Sequence, residues 1–288
     1  MRSRQVGDKP TLSELRARYE QLLEQFPLPD GISFADVDAG GVPGIWARPA
    51  NDLGRATVLY LHGGGWVTGT AQGYRGLGAR IALAADAQVL ILDYALAPER
   101  QYPTQLDQTV AAYQWLLGQG IDPGTIVLAG DSAGGGLAIG AALRLRDEAA
   151  PMPGAIVGIS AVLDLDCTGE SMLTNAVSDP LVQKDGVIAL VRLYLGEWDA
   201  SKPRPSPLDA DLRGLPPTLL QVSNAEALLD DAVRFAARAD QAGATVVIDR
   251  YDAVPHVWHI FASFMPEAAE AISRAGKFIL TLTGRPEE

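Results

Sequence analysis

Cysteine is almost missing from these 288 residues: Cys167 stands alone. One thiol cannot close an internal disulfide, and with no C-x-x-C or Cys/His cluster nothing offers zinc a site, so a reducing, cytoplasmic setting is expected. Positive charge is scarce as well, 23 Lys and Arg against 35 Asp and Glu, for a net charge of −12. A phosphate backbone would be repelled before contact, which argues against a nucleic-acid partner. The uncharged stretches are broken by Gly, Pro and His, and the polar start MRSRQVGDKP lacks the apolar centre of a signal peptide. Neither export by that route nor a membrane span is expected. Neither the dinucleotide fingerprint G-x-G-x-x-G nor a phosphate-loop Gly-Lys-Ser/Thr occurs, which disfavours a Rossmann-type oxidoreductase. No cofactor or metal is called for.

Short apolar runs do occur, at Val58–Leu61, Val89–Leu92, Ile126–Ala129, Ala155–Ile159, Thr218–Val222 and Val246–Tyr251. They read as six buried strands. Between and after them, stretches near 75–86, 104–117, 133–148, 227–242 and 266–282 carry helical spacing. Strand and helix take turns, and parallel strands need such crossovers, so an α/β fold with a mostly parallel sheet and helices on both faces is expected. Ahead of this body, Leu12, Leu15, Tyr19, Leu22, Leu23 and Phe26 recur at three- and four-residue steps behind a Thr11/Glu14 capping box, predicting an amphipathic helix. Phe34–Asp38 and Val42–Arg48, joined at Gly40-Gly41, predict a hairpin. The alternation fails between about 166 and 207, where a helical stretch from Val187 to Trp198 precedes a Pro-rich run. This reads as an insertion over the carboxyl edge of the sheet.

Gly130-Asp131-Ser132-Ala133-Gly134 follows a strand and opens an Ala/Leu-rich helix, the setting in which G-x-S-x-G lifts a serine hydroxyl above the sheet edge. Gly130 and Gly134 supply room for the sharp turn, and the first helix amides point toward the space over Ser132. At the end of an earlier strand, His62-Gly63-Gly64-Gly65-Trp66 places three glycines in succession. Such a run costs backbone entropy unless the backbone approaches a ligand closely, as when its N–H groups and that of Ala133 form an oxyanion hole. A serine needs a base, and the chain has three histidines. His62 reads as a loop anchor; His256 follows the last strand in a loop, while His259 begins the next helix. His256 is therefore the expected base, with His259 the lesser choice. A carboxylate on the loop after the penultimate strand would orient it: Glu226 fits that place, with Asp230 and Asp252 behind it.

Taken together, the chain resembles the hormone-sensitive-lipase-like carboxylesterases of the α/β-hydrolase fold. Beyond the HGGG and GDSAGG boxes, the likeness includes Asp93-Tyr94, Leu96-Ala97-Pro98-Glu99, Asp164-Leu165, Thr168–Ser171, Ser206-Pro207-Leu208 and Glu226–Asp231. It implies one α/β-hydrolase domain over 1–288 with cap elements from about 1–30 and 166–207. It also implies a Ser132, Glu226, His256 triad, an oxyanion hole of Gly64, Gly65 and Ala133, and a small-molecule ester as substrate; a homodimer is allowed for. Lactones, carbamates or amides are alternative substrates on the same triad, and a non-catalytic small-ligand receptor is the alternative from another class, against which His256 argues. The chain departs from the family at Ala95, where an arginine is usual, at Ser223, where a glycine is, and at Ser160-Ala161-Val162 in place of Ser-Pro-Trp. The last change reshapes the acyl side of the pocket. Leu15, Tyr19, Leu22 and Phe26, with Val187, Leu190, Val191 and Tyr194, are candidate walls of that pocket.

Overall fold

The computed structural model describes residues 10–50, 56–199, 201–202 and 204–282; residues 1–9 of the expected N-terminal cap lie outside it. Eight strands form one sheet in the order β1-β2-β4-β3-β5-β6-β7-β8. The hairpin β1 (Ile32–Asp38) and β2 (Pro43–Pro49) enters antiparallel at one edge. The remaining strands are parallel: β3 (Thr57–Leu61), β4 (Gln88–Leu92), β5 (Ile126–Asp131), β6 (Ala155–Ile159), β7 (Thr218–Ser223) and β8 (Val246–Tyr251).

Strand side chains alternate between faces, so each run feeds two cores. Leu59, Leu61, Leu90, Leu92 and Leu128 face α3 (Thr104–Gly118), α4 (Ala133–Asp147) and α7 (Leu229–Gln241). Val58, Tyr60, Val89, Ile91 and Val127 face α2 (Arg75–Ala85) and α8 (Pro266–Leu282). Each fully buried Val, Leu or Ile contributes about 1.5–3 kcal/mol, and the polar Gln221 buried in β7 is held by a hydrogen bond, its Nε2 donating to the Ala271 carbonyl at 2.9 Å.

Five of the six expected buried strands are buried almost throughout, but β8 is not: Val247 is 46% exposed. It is the edge strand: Val246 and Ile248 pack toward α7, while Val247 points to the opposite face and stays exposed, so its apolar run is half-buried.

The N-terminal helix α1 spans Leu12–Leu23 and carries the expected capping box, with the Glu14 amide donating to Thr11 Oγ1 at 3.3 Å and Thr11 N–H to Glu14 Oε2 at 2.8 Å. Between β6 and β7 the chain forms α5 (Ser171–Thr174) and α6 (Lys184–Leu195). The expected helix here runs to Trp198; Gly196, at φ +63°, ends it earlier.

Candidate active site

Ser132 sits between β5 and α4 with φ 51° and ψ −119°, a strained conformation for a residue with a side chain. Neighbouring backbone holds it there. Its N–H donates to the Ile159 carbonyl at 2.8 Å, and its carbonyl accepts from Val162 at 3.0 Å and Gly136 at 3.3 Å. A Cβ on Gly134 would lie inside the van der Waals radius of the Leu61 carbonyl, and one on Gly130 would sit 2.5 Å from the Gly134 backbone. The helix start and β3 therefore approach each other as closely as their backbones allow, which is the reason for glycine at both places.

His256 Nε2 lies 3.0 Å from Ser132 Oγ, and its Nδ1 lies 2.7 Å from Glu226 Oε1. Three segments separated by 94 and 30 residues in sequence thus converge at the carboxyl ends of β5, β7 and β8 (226 − 132 = 94; 256 − 226 = 30). The second oxygen of Glu226 accepts the Ser223 N–H at 2.6 Å, fixing the carboxylate plane. Glu226 is 1% exposed and the His256 side chain 12%. Burial by itself would lower the imidazole's pKa; the hydrogen bond and charge of Glu226, aided by Asp179 and Asp131, outweigh it and raise the pKa above the ordinary 6.5. The arrangement supplies a hydroxyl, a base in reach of it and a carboxylate that selects the base's tautomer.

The glycine loop turns back on itself, with Gly64 at φ +107° and Gly65 at φ +62°. The Gly64 carbonyl accepts from Val67 at 3.2 Å and Thr68 at 3.0 Å. Gly63 spends its N–H on Asp131 Oδ1 at 2.9 Å, while among the described residues no acceptor is recorded for the N–H groups of Gly64, Gly65 and Ala133. His62 is fully buried, hydrogen-bonded at Nδ1 to the Gly63 carbonyl (2.8 Å) and stacked on Tyr94 at 4.2 Å.

The other candidates stand elsewhere. His259 is fully buried against Gln221 Oε1 at 2.8 Å, and desolvation drives it down to about 3. Asp230 accepts from Ser171 N–H at 2.8 Å and Asp252 from Asn224 Nδ2 at 2.8 Å, neither of them bonded to His256. Of the candidate pocket walls, Tyr194 lines a cavity, stacked on Trp66 at 4.3 Å, while Val187 and Val191 are buried and do not line it. The α1 face does not line that cavity: Leu15 and Leu22 are exposed, and Tyr19 instead hydrogen-bonds Tyr74 at 2.7 Å. Cys167 is buried, its thiol pushed up to about 12 by desolvation, so it is not a nucleophile at neutral pH.

Other supports carry no local signature in the sequence. Asp179 Oδ2 accepts from Ala227 N–H at 2.9 Å, and Asn175 Nδ2 donates to the carbonyls of Asn224 (2.9 Å) and Glu226 (2.8 Å), so residues 175–179 brace the Glu226 loop. Ser160 Oγ accepts from Val257 N–H at 3.3 Å, steadying the His256 loop. Among the described residues no group of three or more His, Cys, Asp or Glu is disposed to hold a metal, and no helix is long and apolar enough to cross a membrane.

A family model described as the alpha/beta hydrolase fold matches residues 58–260. An acetyl-hydrolase of Streptomyces hygroscopicus is 42% identical over 248 residues, covering 86% of this chain and 83% of that protein. An esterase of Acinetobacter venetianus is 35% identical over 269 residues, covering 93% and 88%. The crystal structure of an esterase from the bacterial hormone-sensitive lipase family superposes with a TM-score of 0.93 at 44% identity, over 96% of this chain and 93% of that one.

Proposed function

Because the chain belongs to the hormone-sensitive-lipase-like esterases of the α/β-hydrolase fold, we propose that it hydrolyses small to medium acyl esters through an acyl-enzyme formed on Ser132, with His256 as base and Glu226 as its orienting partner. The observation that carries this reading is the single imidazole held between the Ser132 hydroxyl and the Glu226 carboxylate at 3.0 and 2.7 Å.

In the first half-reaction Ser132 Oγ bonds to the ester carbonyl carbon while its proton passes to His256 Nε2. The carbonyl oxygen becomes an oxyanion facing the N–H groups of Gly64, Gly65 and Ala133, each worth about 3 kcal/mol of barrier. His256 then gives the proton to the alkoxide as the C–O bond breaks, and the alcohol leaves. Water repeats the sequence on the acyl-enzyme, releasing the acid and restoring the serine. Glu226 keeps the Nδ1 proton in place and stabilises the imidazolium formed in both halves.

The test is p-nitrophenyl butyrate hydrolysis by wild type and Ser132→Ala, paired with labelling by a fluorophosphonate. Loss of at least about 10³-fold in kcat together with loss of labelling is expected. A Ser132→Ala protein as active as wild type overturns the assignment, and a wild-type protein that neither turns over esters nor takes the label points instead to a binding protein.

A further inference from the structure

After β6 the chain runs through residues 160–164, which are buried and form neither helix nor strand, so their amides need acceptors outside any regular structure. The Ser160 N–H donates to the Gln221 carbonyl at 2.7 Å, and that of Val162 to the Ser132 carbonyl at 3.0 Å. The next two amides, of Leu163 and Asp164, both donate to a single oxygen, Asp231 Oδ2 on α7, at 2.8 and 2.9 Å. From the start of the same loop, Ser160 Oγ accepts the N–H of Val257, the residue after His256, at 3.3 Å. One short loop thus grips the Ser132 backbone and steadies the neighbour of His256, and one carboxylate anchors it.

Nothing in the acyl-transfer chemistry uses Asp231. It is fully buried, and its other oxygen, Oδ1, has no hydrogen-bond partner among the described residues. Arg234, one turn further along α7, spends its Nη1 on Asp164 Oδ2 at 2.8 Å and Thr168 Oγ1 at 3.0 Å. Desolvation pushes the Asp231 carboxyl up to about 7, although both amides favour its anion. A carboxyl raised from 3.8 in this way contributes stability that is full below 3.8 and lost as pH rises through about 7; beyond that, the buried anion weakens the fold. Bulk stability therefore does not account for an acid at this place. An apolar side chain would avoid the desolvation but leave two buried amides without an acceptor.

We propose that Asp231 is a positioning residue of the reaction: by collecting the Leu163 and Asp164 amides on one oxygen, it fixes the loop that sets Ser132 against His256. The inference rests on the acyl-transfer reading above. Release of those two amides frees Val162, and with it the Ser132 carbonyl, while the Ser132 N–H stays tied to Ile159 at the end of β6. The nucleophile's backbone would then be held on one side only. A misplacement of about 1 Å between reacting groups costs on the order of 10²-fold in rate, so the 3.0 Å contact between Ser132 Oγ and His256 Nε2 is sensitive to small movements of this loop. Asp230 cannot substitute: one position earlier on the helix it faces elsewhere, its carboxylate accepting the Ser171 N–H at 2.8 Å.

The experiment compares wild type, Asp231→Ala and Asp231→Asn at a temperature well below each Tm. It measures kcat and KM for p-nitrophenyl butyrate and the rate at which a fluorophosphonate labels Ser132. Asp231→Ala removes the acceptor and should lower kcat at least about tenfold with KM within about twofold, because the loop holds the reacting groups and not the bound ester. Labelling should slow by a similar factor. Asp231→Asn keeps one oxygen able to take both amides without the charge, and should stand only about three- to fivefold below wild type in kcat. If Asp231→Ala does not fold, that smaller loss at unchanged KM in Asp231→Asn carries the test. Wild-type kcat and labelling in a folded variant of lowered Tm overturn the proposal and leave Asp231 a purely stabilising contact. An Asp231→Asn protein no more active than Asp231→Ala overturns it as well, since the effect would then follow the charge and not the paired bonds. Undiminished ester turnover by Ser132→Ala would instead overturn the acyl-transfer reading beneath it.

Discussion

Asp131 Oδ1 accepts the Gly63 N–H at 2.9 Å and thereby ties the turn that carries Ser132 to the glycine loop. The same carboxylate is fully buried and accepts from Tyr60 at 2.8 Å and from Tyr74 at 2.9 Å; because Tyr74 spends its proton there, Tyr19 donates to Tyr74. Desolvation pushes Asp131 up to about 6, even though all three donors favour its anion. With Gly63 committed to Asp131, the amides of Gly64 and Gly65 are the loop donors left for the proposed oxyanion hole.

Asp131→Asn tests this tie. The amide cannot accept from all three donors, so one buried polar group loses its partner, costing about 1–3 kcal/mol. A lower Tm and a fall in kcat are expected together. The pH dependence has a definite sign. A carboxyl raised from 3.8 to about 6 in the fold contributes stability that is full below 3.8 and is lost as pH rises through 6. The Tm gap between wild type and variant should therefore narrow across that window, and a gap that widens with pH contradicts the burial of this group.

The pH–activity profile tests His256. Its pKa is raised, so the neutral imidazole needed as a base forms only above the ordinary histidine range, and kcat/KM should rise with a midpoint above 6.5, higher than an unperturbed histidine gives. Glu226→Gln removes the largest raising influence and should move the midpoint down while lowering kcat by about 10²–10⁴-fold. Asp252→Asn, whose carboxylate partners Asn224, should leave both nearly unchanged. A Glu226→Gln midpoint equal to wild type would sever the carboxylate from the imidazole's titration.

The parts readable from the chain were those whose cause is local. The Ser132 turn is announced by Gly130 and Gly134 beside a strand, and Glu226 and His256 by their places just beyond β7 and β8. The Tyr19–Tyr74–Asp131–Gly63 chain was not readable: Gly63 and Asp131 stand in the two motifs, but nothing local says that Tyr74 and Tyr19 meet them across distant segments. For the same reason the apolar stripe of α1 suggested a pocket wall. A stripe tells which side is buried but not against what, and here Leu23 and Tyr19 pack on the core that contains Tyr74. The exposure of Val247 follows from β8 having no neighbour beyond it, which is a property of strand order and not of the run itself.

Gly134→Ala probes close packing beneath Ser132. The methyl would overlap the backbone carbonyl of Leu61, and neither the helix start nor the central strand can yield without moving Ser132. A loss of about 3 kcal/mol or more is expected, read as a lowered denaturation midpoint or failure to accumulate as folded protein. Gly118→Ala, with nothing within 4 Å of its Cβ at the end of α3, is the control and should be neutral or slightly stabilising.

Arg16 extends the same logic to α1. Its Nε donates to the Val67 carbonyl at 2.8 Å and its Nη2 to the Ala97 carbonyl at 3.0 Å, while both terminal nitrogens pair with Glu99 at 2.7 and 2.8 Å. Val67 belongs to the turn closed on the Gly64 carbonyl, so one guanidinium pins the glycine loop to α1. Arg16 holds Glu99 down to about 2, so this pair's stability is present above 4.5 and lost as pH falls through about 2; Glu99 is 59% exposed, and solvent screening keeps that share small. The carbonyl bonds are what position the loop. Arg16→Leu should lower kcat severalfold at temperatures well below its Tm with little change in KM, because the loop donors act on the oxyanion and not on the bound ester. Arg16→Lys, a point charge without the fork, should recover only part of the loss. A variant with lowered Tm but wild-type kcat would make α1 a stabilising strap with no part in holding the loop.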